Sequence, residues 1–553
     1  MSIEIASNDP VYKTKARVRA AIPDRVDVAV VGAGLGGLVS SAYLAQAGFK
    51  VACFDQHYVA GGCATQFARG SGADKFQFDI GLHYIGDCHE DGNIPRLLRG
   101  LGIEQGYTCL DPDGFDTLVF PDFEFKIPSN IDLYRDRLLE YFPKERRGID
   151  RYHRFLKQID DVSRTMERQK GKMSLGVMWK VVKGGGLLAR YTNGTMKDFL
   201  DDCIHDPRLR AVIMGQNGDY AIPPSEVSAF LHAGLAVHYF RGAYYPEGGG
   251  QIISDKIAEV IEDAGSTVHL RKAVSRIVVK DGKAIGVDVE VGDGATKRVY
   301  ADKVISNADI KRTFLDLIGP EHLDSKVVTK TENYKMAEAI FMTCLGVKTD
   351  LREHGMRAAN YWQFDSYDFE GLYRELRTSS EIIPRAAYIT SASLKDPDCP
   401  HHAPEGVQTV EIMTMVSGDQ SKWRVEPSDI NSWRYKKDTD YLKLKESVEA
   451  NLIDRMEALF PGSKETIVFK ESATPTTHSR YTWASGGTGY GIAASPDQFM
   501  HNRPGYRGPV ADLYMCGASM RAGHGIVGAM SSGYLAAACL AKDIGRHLPP
   551  VLS

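Results

Sequence analysis

Gly32, Gly34 and Gly37 stand in the order G-x-G-x-x-G. Before them lies a β-rich apolar run at residues 26–31, and after them an Ala/Leu-rich stretch reaches about Ala47, where Gly48 ends it. Residues 51–54 form a second β-rich run that closes on Asp55. Each residue type has a job in a nucleotide-binding βαβ unit. Gly32 permits the tight turn, Gly34 lets the backbone approach a pyrophosphate, and Gly37 lets the helix sit close to the strand. The phosphates then meet the unpaired N–H groups of the helix. The Asp55 carboxylate stands where ribose hydroxyls are held. The glycine pattern alone is a weak signal; strand, glycines, helix, strand and acid in sequence are a strong one.

Four further constellations bear on chemistry. Gly61 and Gly62, followed by Cys63, make a second glycine turn that a domain binding NAD alone does not need. Such a turn brings backbone amides to the flavin side of a dinucleotide pyrophosphate. Residues 78–86, FDIGLHYIG, place His83 and Tyr84 between glycines, along a flavin or its substrate. Near the C-terminus, Gly517 and Ala518 precede GHGIVGA, in which Gly525, Ile526 and Val527 open a helix whose positive end suits a reduced, anionic flavin. Residues 172–190 mix Leu175, Met178 and Trp179 with Lys172, Lys180, Lys183 and Arg190, a composition fitted to lying on a membrane surface. Residues 398–402, DCPHH, offer no recognised ligand set and read as a surface loop, so no metal is expected.

The elements that must position these groups can be read coarsely. Residues 1–24 are a polar tail. Residues 244–251, YYPEGGGQ, lead into an amphipathic helix, then a short strand, then a hairpin turning at Asp281-Gly282, then a strand ending near Asn307. Residues 111–239 read as mostly helical and 311–504 as mixed. The nucleotide motifs therefore fall in three separated blocks. They predict a discontinuous Rossmann-type domain of residues 25–110, 240–310 and 505–553, with a mixed α+β substrate domain of residues 111–239 and 311–504.

Bulk properties narrow the function. The chain has 553 residues, 43% hydrophobic, and a formal net charge of -4 without long one-sign runs, so no nucleic-acid partner is expected. Its nine cysteines have no C-x-x-C pair and no framework spacing, which points to a reducing, cytoplasmic compartment. No run of roughly 18 apolar residues occurs, so membrane contact is expected to be peripheral, on the cytoplasmic face.

These motifs, in this order, resemble the retinol saturase, phytoene desaturase and carotenoid isomerase family of FAD-dependent oxidoreductases. The matches are VVGAGLGGL, FDQHYVAGGCA, FDIGLHYIG, SAFLHAGLAVHYFRGAYYPEGGG, VISNAD, ATPTTHSRYTWASGGTGYG and LYMCGASMRAGHGIVGA, spread over residues 26–545. The resemblance implies a p-hydroxybenzoate-hydroxylase-like two-domain fold. It implies an extended FAD and a long apolar substrate whose C=C bonds are saturated, desaturated or isomerised. It places Gly32, Gly34, Gly37, Asp55, Gly61, Gly62, Val274, Gly517 and Val527 at the flavin dinucleotide, with Leu35, Cys63, Asn307, Ala518, Gly525 and Ile526 beside them. The proton donor or acceptor is expected among His83, Tyr84, His238 and Tyr239. With a single dinucleotide fingerprint, the electron partner is left open. Three features depart from the usual pattern: Asp55 replaces the commoner Glu, Ala518 replaces a common Asp, and GHGIVGA is closer to desaturases than to retinol saturase. An amine-oxidase-type flavoenzyme and a non-catalytic flavin-binding escort protein are the rival readings.

Overall fold

The computed structural model describes residues 21–168 and 186–551. The strand Arg25–Val31 is buried on both faces from Val28 onward, which is why that stretch is continuously apolar rather than alternating. It pairs in parallel with Val51–Phe54 on one side and with Ala295–Ser306 on the other. Thr267–His269 extends the sheet beyond Val51–Phe54, and Leu513–Met515 pairs in parallel with the end of Ala295–Ser306. One sheet thus gathers strands from three stretches far apart in the chain.

The first half of Ala295–Ser306 leaves this parallel arrangement and carries an antiparallel hairpin, Val274–Lys280 and Lys283–Gly292. Its two-residue turn has Asp281 and Gly282 at φ 50° and 73°, the mirror-image geometry that matches strand twist.

The helix Leu35–Gln46 is almost wholly buried, between Ile252–Asp263 and the C-terminal helix Gly525–Asp543. The crossing with the C-terminal helix is close: a Cβ on Gly533 would stand 2.2 Å from the Gly36 carbonyl oxygen. By length and composition Gly525–Asp543 is apolar enough to cross a membrane, contrary to the expectation from the sequence. Its apolar residues serve another purpose here: Met530, Ala536, Ala537 and Leu540 are buried in the same core as the first helix.

The second sheet has seven strands, in the order Ile467–Ala473, Ala339–Val347, Gln408–Val416, Ala386–Thr390, Asn360–Phe364, Asp116–Val119 and Glu124–Ile127. All its pairings are antiparallel except that of Asn360–Phe364 with Asp116–Val119. The last two strands lie in a region read as mostly helical. Four residues each, they carry too little periodicity to be seen alone, and they join the sheet through Asn360–Phe364, more than two hundred residues from Asp116–Val119. The helices Arg146–Arg168 and Ala229–Tyr239 pack together beside this sheet. Of the segment 172–190, residues 172–185 lie outside the described residues. In the remainder Leu188 is buried and Arg190 pairs with Asp202 at 2.5 Å.

Candidate functional site

The carboxyl ends of the parallel strands open into a cavity of about 600 Å³. At this end glycine is demanded by contact. Gly62 lies against Gly34, where a Cβ would come within 3.1 Å of the Gly34 Cα. The Asn307 side chain occupies the space left by three glycines: a Cβ would stand 2.8 Å from it at Gly34, 2.5 Å at Gly36 and 2.9 Å at Gly517. Gly37 does not line the cavity; a Cβ there would sit 2.0 Å from the Gly32 carbonyl oxygen, so it holds the turn from behind. Asp55 accepts from the backbone amides of Ala33 and His57, each at 2.7 Å, which fixes the carboxylate at the strand end.

Two helices begin at this cavity. Leu35–Gln46 has Gly34 as its N-cap and Gly525–Asp543 has His524, and neither has a side-chain cap. The glycine cradle, the anchored carboxylate and two uncapped helix starts fit an extended dinucleotide with an anionic pyrophosphate. Buried ring nitrogens also lack hydrogen-bond partners at the cavity wall: Nε2 of His83 and Nδ1 of His524.

Beyond the glycines the wall becomes apolar and aromatic, with Phe230, Leu231, Leu235, Ile340, Trp362 and Met413 among its residues. Tyr84 and Tyr239 stack there with centroids 4.5 Å apart and planes 10° apart. Tyr84 Oη donates to Asp219 Oδ2 at 2.8 Å and also stands 3.2 Å from Asp116 Oδ2. Tyr239 hydrogen-bonds Asp219 as well. Asp219 is half-buried and faces the cavity; burial, then the charge of Asp116, pushes its pKa up to about 7.

Behind Tyr84 the polar network continues inward. Asp116, buried, accepts from Gln216 Nε2 at 2.7 Å and Asn360 Nδ2 at 2.8 Å; burial raises its pKa to about 6 against these bonds. The ammonium of Lys395, also buried, donates to the His83 carbonyl at 2.7 Å, to Asn360 Oδ1 at 2.5 Å and to Thr390 Oγ1. Burial lowers the Lys395 pKa to about 7, while Glu411, Asp116 and Asp79 hold it up. Glu411 itself is held above the usual carboxylate range by burial. A charged residue this deep is tolerable only where it is paired and hydrogen-bonded.

The sequence-predicted residues separate into groups. Gly32, Gly34, Leu35, Asp55, Gly61, Gly62, Cys63, Val274, Asn307, Gly517, Ala518, Gly525, Ile526 and Val527 all line the cavity, and Gly37 supports it from outside. His83, Tyr84, His238 and Tyr239 line it too. His238 is already engaged, its Nε2 accepting from the Gly86 amide at 2.9 Å. Burial, then Lys395, depresses the His83 pKa to about 3, so that ring is neutral.

Asp219, Asp116 and Lys395 were missed. They lie on separate segments with no motif around them, and only the fold makes them neighbours. The loop at 398–402 is exposed at Asp398 and Pro400, as expected, but His402 departs from that reading and is 2% exposed. Its Nε2 stands 3.5 Å from Asp396, with Cys399 as a third close donor. Burial disfavours its charge, yet Asp396 and Cys399 raise the His402 pKa to about 10, as befits a buried ion pair.

Comparison with known proteins agrees with this geometry. Residues 30–101 match the model of an NAD(P)-binding Rossmann-like domain. Over 523 residues the chain is 29% identical to the all-trans-retinol 13,14-reductase of Danio rerio, covering 90% of this chain and 83% of that one. Over 544 residues it is 26% identical to the chloroplastic prolycopene isomerase of Daucus carota, covering 95% and 82%. The chain is an oxidoreductase of the flavin-dependent type. Among solved structures, cyclohexylamine oxidase from Brevibacterium oxydans superposes with a TM-score of 0.57 at 16% identity, over 95% of this chain and all of that one. That likeness is one of fold, and it is the two-domain flavoenzyme fold expected from the motifs.

Proposed function

We propose that this chain binds FAD and saturates, desaturates or isomerises C=C bonds of a long apolar lipid such as a retinoid, carotenoid or other polyene. The observation that carries the reading is one cavity with two chemistries: a glycine-lined, helix-start end, continuous with an apolar aromatic end that bears the Asp219 carboxylate with its tyrosines. The relatives named for retinol and prolycopene support the same substrate class.

Gly32, Gly34, Leu35, Asp55, Gly61, Gly62, Val274, Asn307, Gly517, Ala518, Gly525, Ile526 and Val527 would hold the dinucleotide, with Cys63 beside it. When bound, FAD supplies hydride or electron exchange. The protein's own part is to exclude water with its aromatic wall and to exchange a proton. Asp219 is suited to this, being near half-ionised at neutral pH, with Tyr84 and Tyr239 fixing its orientation. Tyr84 and Tyr239 stay protonated, since burial and neighbouring carboxylates hold their pKa values well above the ordinary range.

A second reading has a specific observation behind it. An acid flanked by tyrosine hydroxyls in an aromatic wall also suits a cationic amine. Anaerobic mixing of the protein, loaded with oxidised and in parallel with reduced FAD, with polyenes, retinoids, unsaturated fatty acids and primary amines decides between them, with flavin absorbance, product masses and isomer-resolving chromatography as readout. Turnover of amines with no change in any lipid in either redox state overturns the lipid reading, and a protein that stays colourless after incubation with FAD overturns both.

A substrate this insoluble must be collected from a membrane or a carrier, and we infer peripheral membrane contact. Residues 172–190 remain the candidate surface, on composition.

A further inference from the structure

Cys63 follows the Gly61–Gly62 turn, lines the cavity and is half-buried. Its Sγ lies 3.5 Å from Nε2 of His478. The other ring nitrogen of His478, Nδ1, lies 2.7 Å from the Gly487 carbonyl oxygen. A carbonyl only accepts, so Nδ1 carries the proton and Nε2 faces the thiol as a bare acceptor.

Both partners are held in place. Gly61 and Gly62 take φ of 123° and 63°, and Thr65 Oγ1 donates to the Gly62 carbonyl at 3.0 Å. His478 sits in the helix Pro475–Thr482, started by a Thr474 capping box. Gly487 folds so tightly on that helix that a Cβ there would be 2.5 Å from the Pro475 carbonyl oxygen. A sulfur, an imidazole and a carbonyl orienting the imidazole are the parts of an activated nucleophile.

We propose that Cys63 and His478 form a thiolate–imidazolium pair that makes Cys63 a nucleophilic modification site for apolar α,β-unsaturated aldehydes and ketones entering the cavity. The thiol proton passes to His478 Nε2. The thiolate then forms an S–C bond to the β-carbon as the C=C π bond breaks. The electron pair moves through the α-carbon to the carbonyl oxygen, and the resulting enolate takes the proton back from Nε2 at the α-carbon. No net oxidation or reduction occurs, and no further reactant is consumed.

The surroundings favour this charge separation at one cysteine. Burial alone would raise the Cys63 pKa, but the charge and hydrogen bond of His478 bring it below the ordinary thiol value. Burial likewise opposes charge on His478, yet Cys63 and the Gly487 carbonyl raise it. Tyr490 lines the same cavity and stays protonated, held up by burial, then by the charges of Asp219 and Cys63. Cys516 lines the same cavity without such a partner, and burial pushes its thiol up to about 12.

Cys63 stands at the dinucleotide end, so an adduct there and bound FAD exclude each other; this clause rests on the FAD reading, whereas the nucleophilicity does not.

The test is alkylation of the full chain by N-ethylmaleimide and by trans-2-nonenal, with and without saturating FAD, followed by peptide mass spectrometry across pH 5–9. Cys63 is expected to react at pH 7 at least 10-fold faster than the exposed Cys109, with a rate midpoint below the ordinary thiol value of about 8.5. His478→Gln should slow it at least 10-fold and move the midpoint up. FAD should protect Cys63, and the adduct should lose FAD. A rate no faster than Cys109, or a wild-type midpoint at or above about 8.5, overturns the nucleophile even if the variant fails to fold. Labelling that continues at full FAD occupancy overturns only the mutual exclusion. Failure of the unmodified chain to bind FAD is a separate result, and it overturns the functional reading instead.

Discussion

Asp219 turns the direction of the reaction into a pH observable. As a proton donor in saturation it works in its acid form, so the rate should fall as pH rises through about 7; as an acceptor in desaturation, the rate should rise through the same point. Asp219→Asn should lose this inflection and on the order of 10²-fold in turnover. An unchanged pH–rate profile in the variant would sink the assignment. Stability has its own sign. The folded carboxyl binds its proton more tightly than the unfolded one, so this group's contribution to stability declines from the ordinary carboxylate range up to about pH 7 and stays low above it. Asp219→Asn should therefore raise the melting temperature more at pH 8 than at pH 4. Lys395 is a different case. Lys395→Met would strip the donor from Asn360, Thr390 and the His83 carbonyl and leave buried carboxylates without their cation. A loss of about 3–5 kcal/mol is expected in denaturant titration.

The cofactor end depends on elements from opposite ends of the chain. Gly36 is the sharpest point: a Cβ there would stand 2.5 Å from Asn307 Oδ1 and 3.0 Å from the Gly517 amide; the Asn307 backbone amide is held by the Val31 carbonyl and the Gly517 amide by Ser532 Oγ. Gly36→Ala should therefore cost FAD affinity at least 10-fold, read by flavin fluorescence on titration, although Gly36 is not one of the three fingerprint glycines. Gly34→Val should abolish binding, and the structure supplies a cause beyond blocked pyrophosphate approach, because the new side chain meets Asn307. Deleting the chain after about residue 505 removes Leu513–Met515 and Gly525–Asp543. That truncation should lose FAD altogether, as a discontinuous dinucleotide domain requires; retained stoichiometric FAD would refute the division into 25–110, 240–310 and 505–553.

For the molecule as a whole the open question is how an insoluble substrate reaches an interior cavity. If residues 172–190 meet a membrane, Trp179→Glu with Leu175→Glu should leave a folded, FAD-loaded protein that no longer floats with anionic liposomes. Unchanged flotation would remove the segment from that role, and unfolding with loss of FAD would make these residues core.

What the amino-acid sequence determined alone is local and periodic. The glycines at 32, 34 and 37, the strands around them, the Asp281-Gly282 turn and the C-terminal helix are legible because each is set by the φ range of glycine, a short turn or a helical repeat. The glycines at the dinucleotide end were legible for the same reason, whereas Val274 and Asn307 were named only through the family resemblance. The strands Asp116–Val119 and Glu124–Ile127 were not legible: at four residues each they carry little periodicity, and the pairing that ties them to the sheet joins Asp116–Val119 to the distant Asn360–Phe364. Asp219, Asp116 and Lys395 are unremarkable in sequence, and although His478 falls in the motif ATPTTHSRYTWASGGTGYG, nothing there points to Cys63. Their chemistry arises from burial and from partners contributed by other elements, and both are properties of tertiary structure. Even the DCPHH loop follows this rule: its polar residues suggest exposure, but Asp396 supplies the charge that lets His402 be buried.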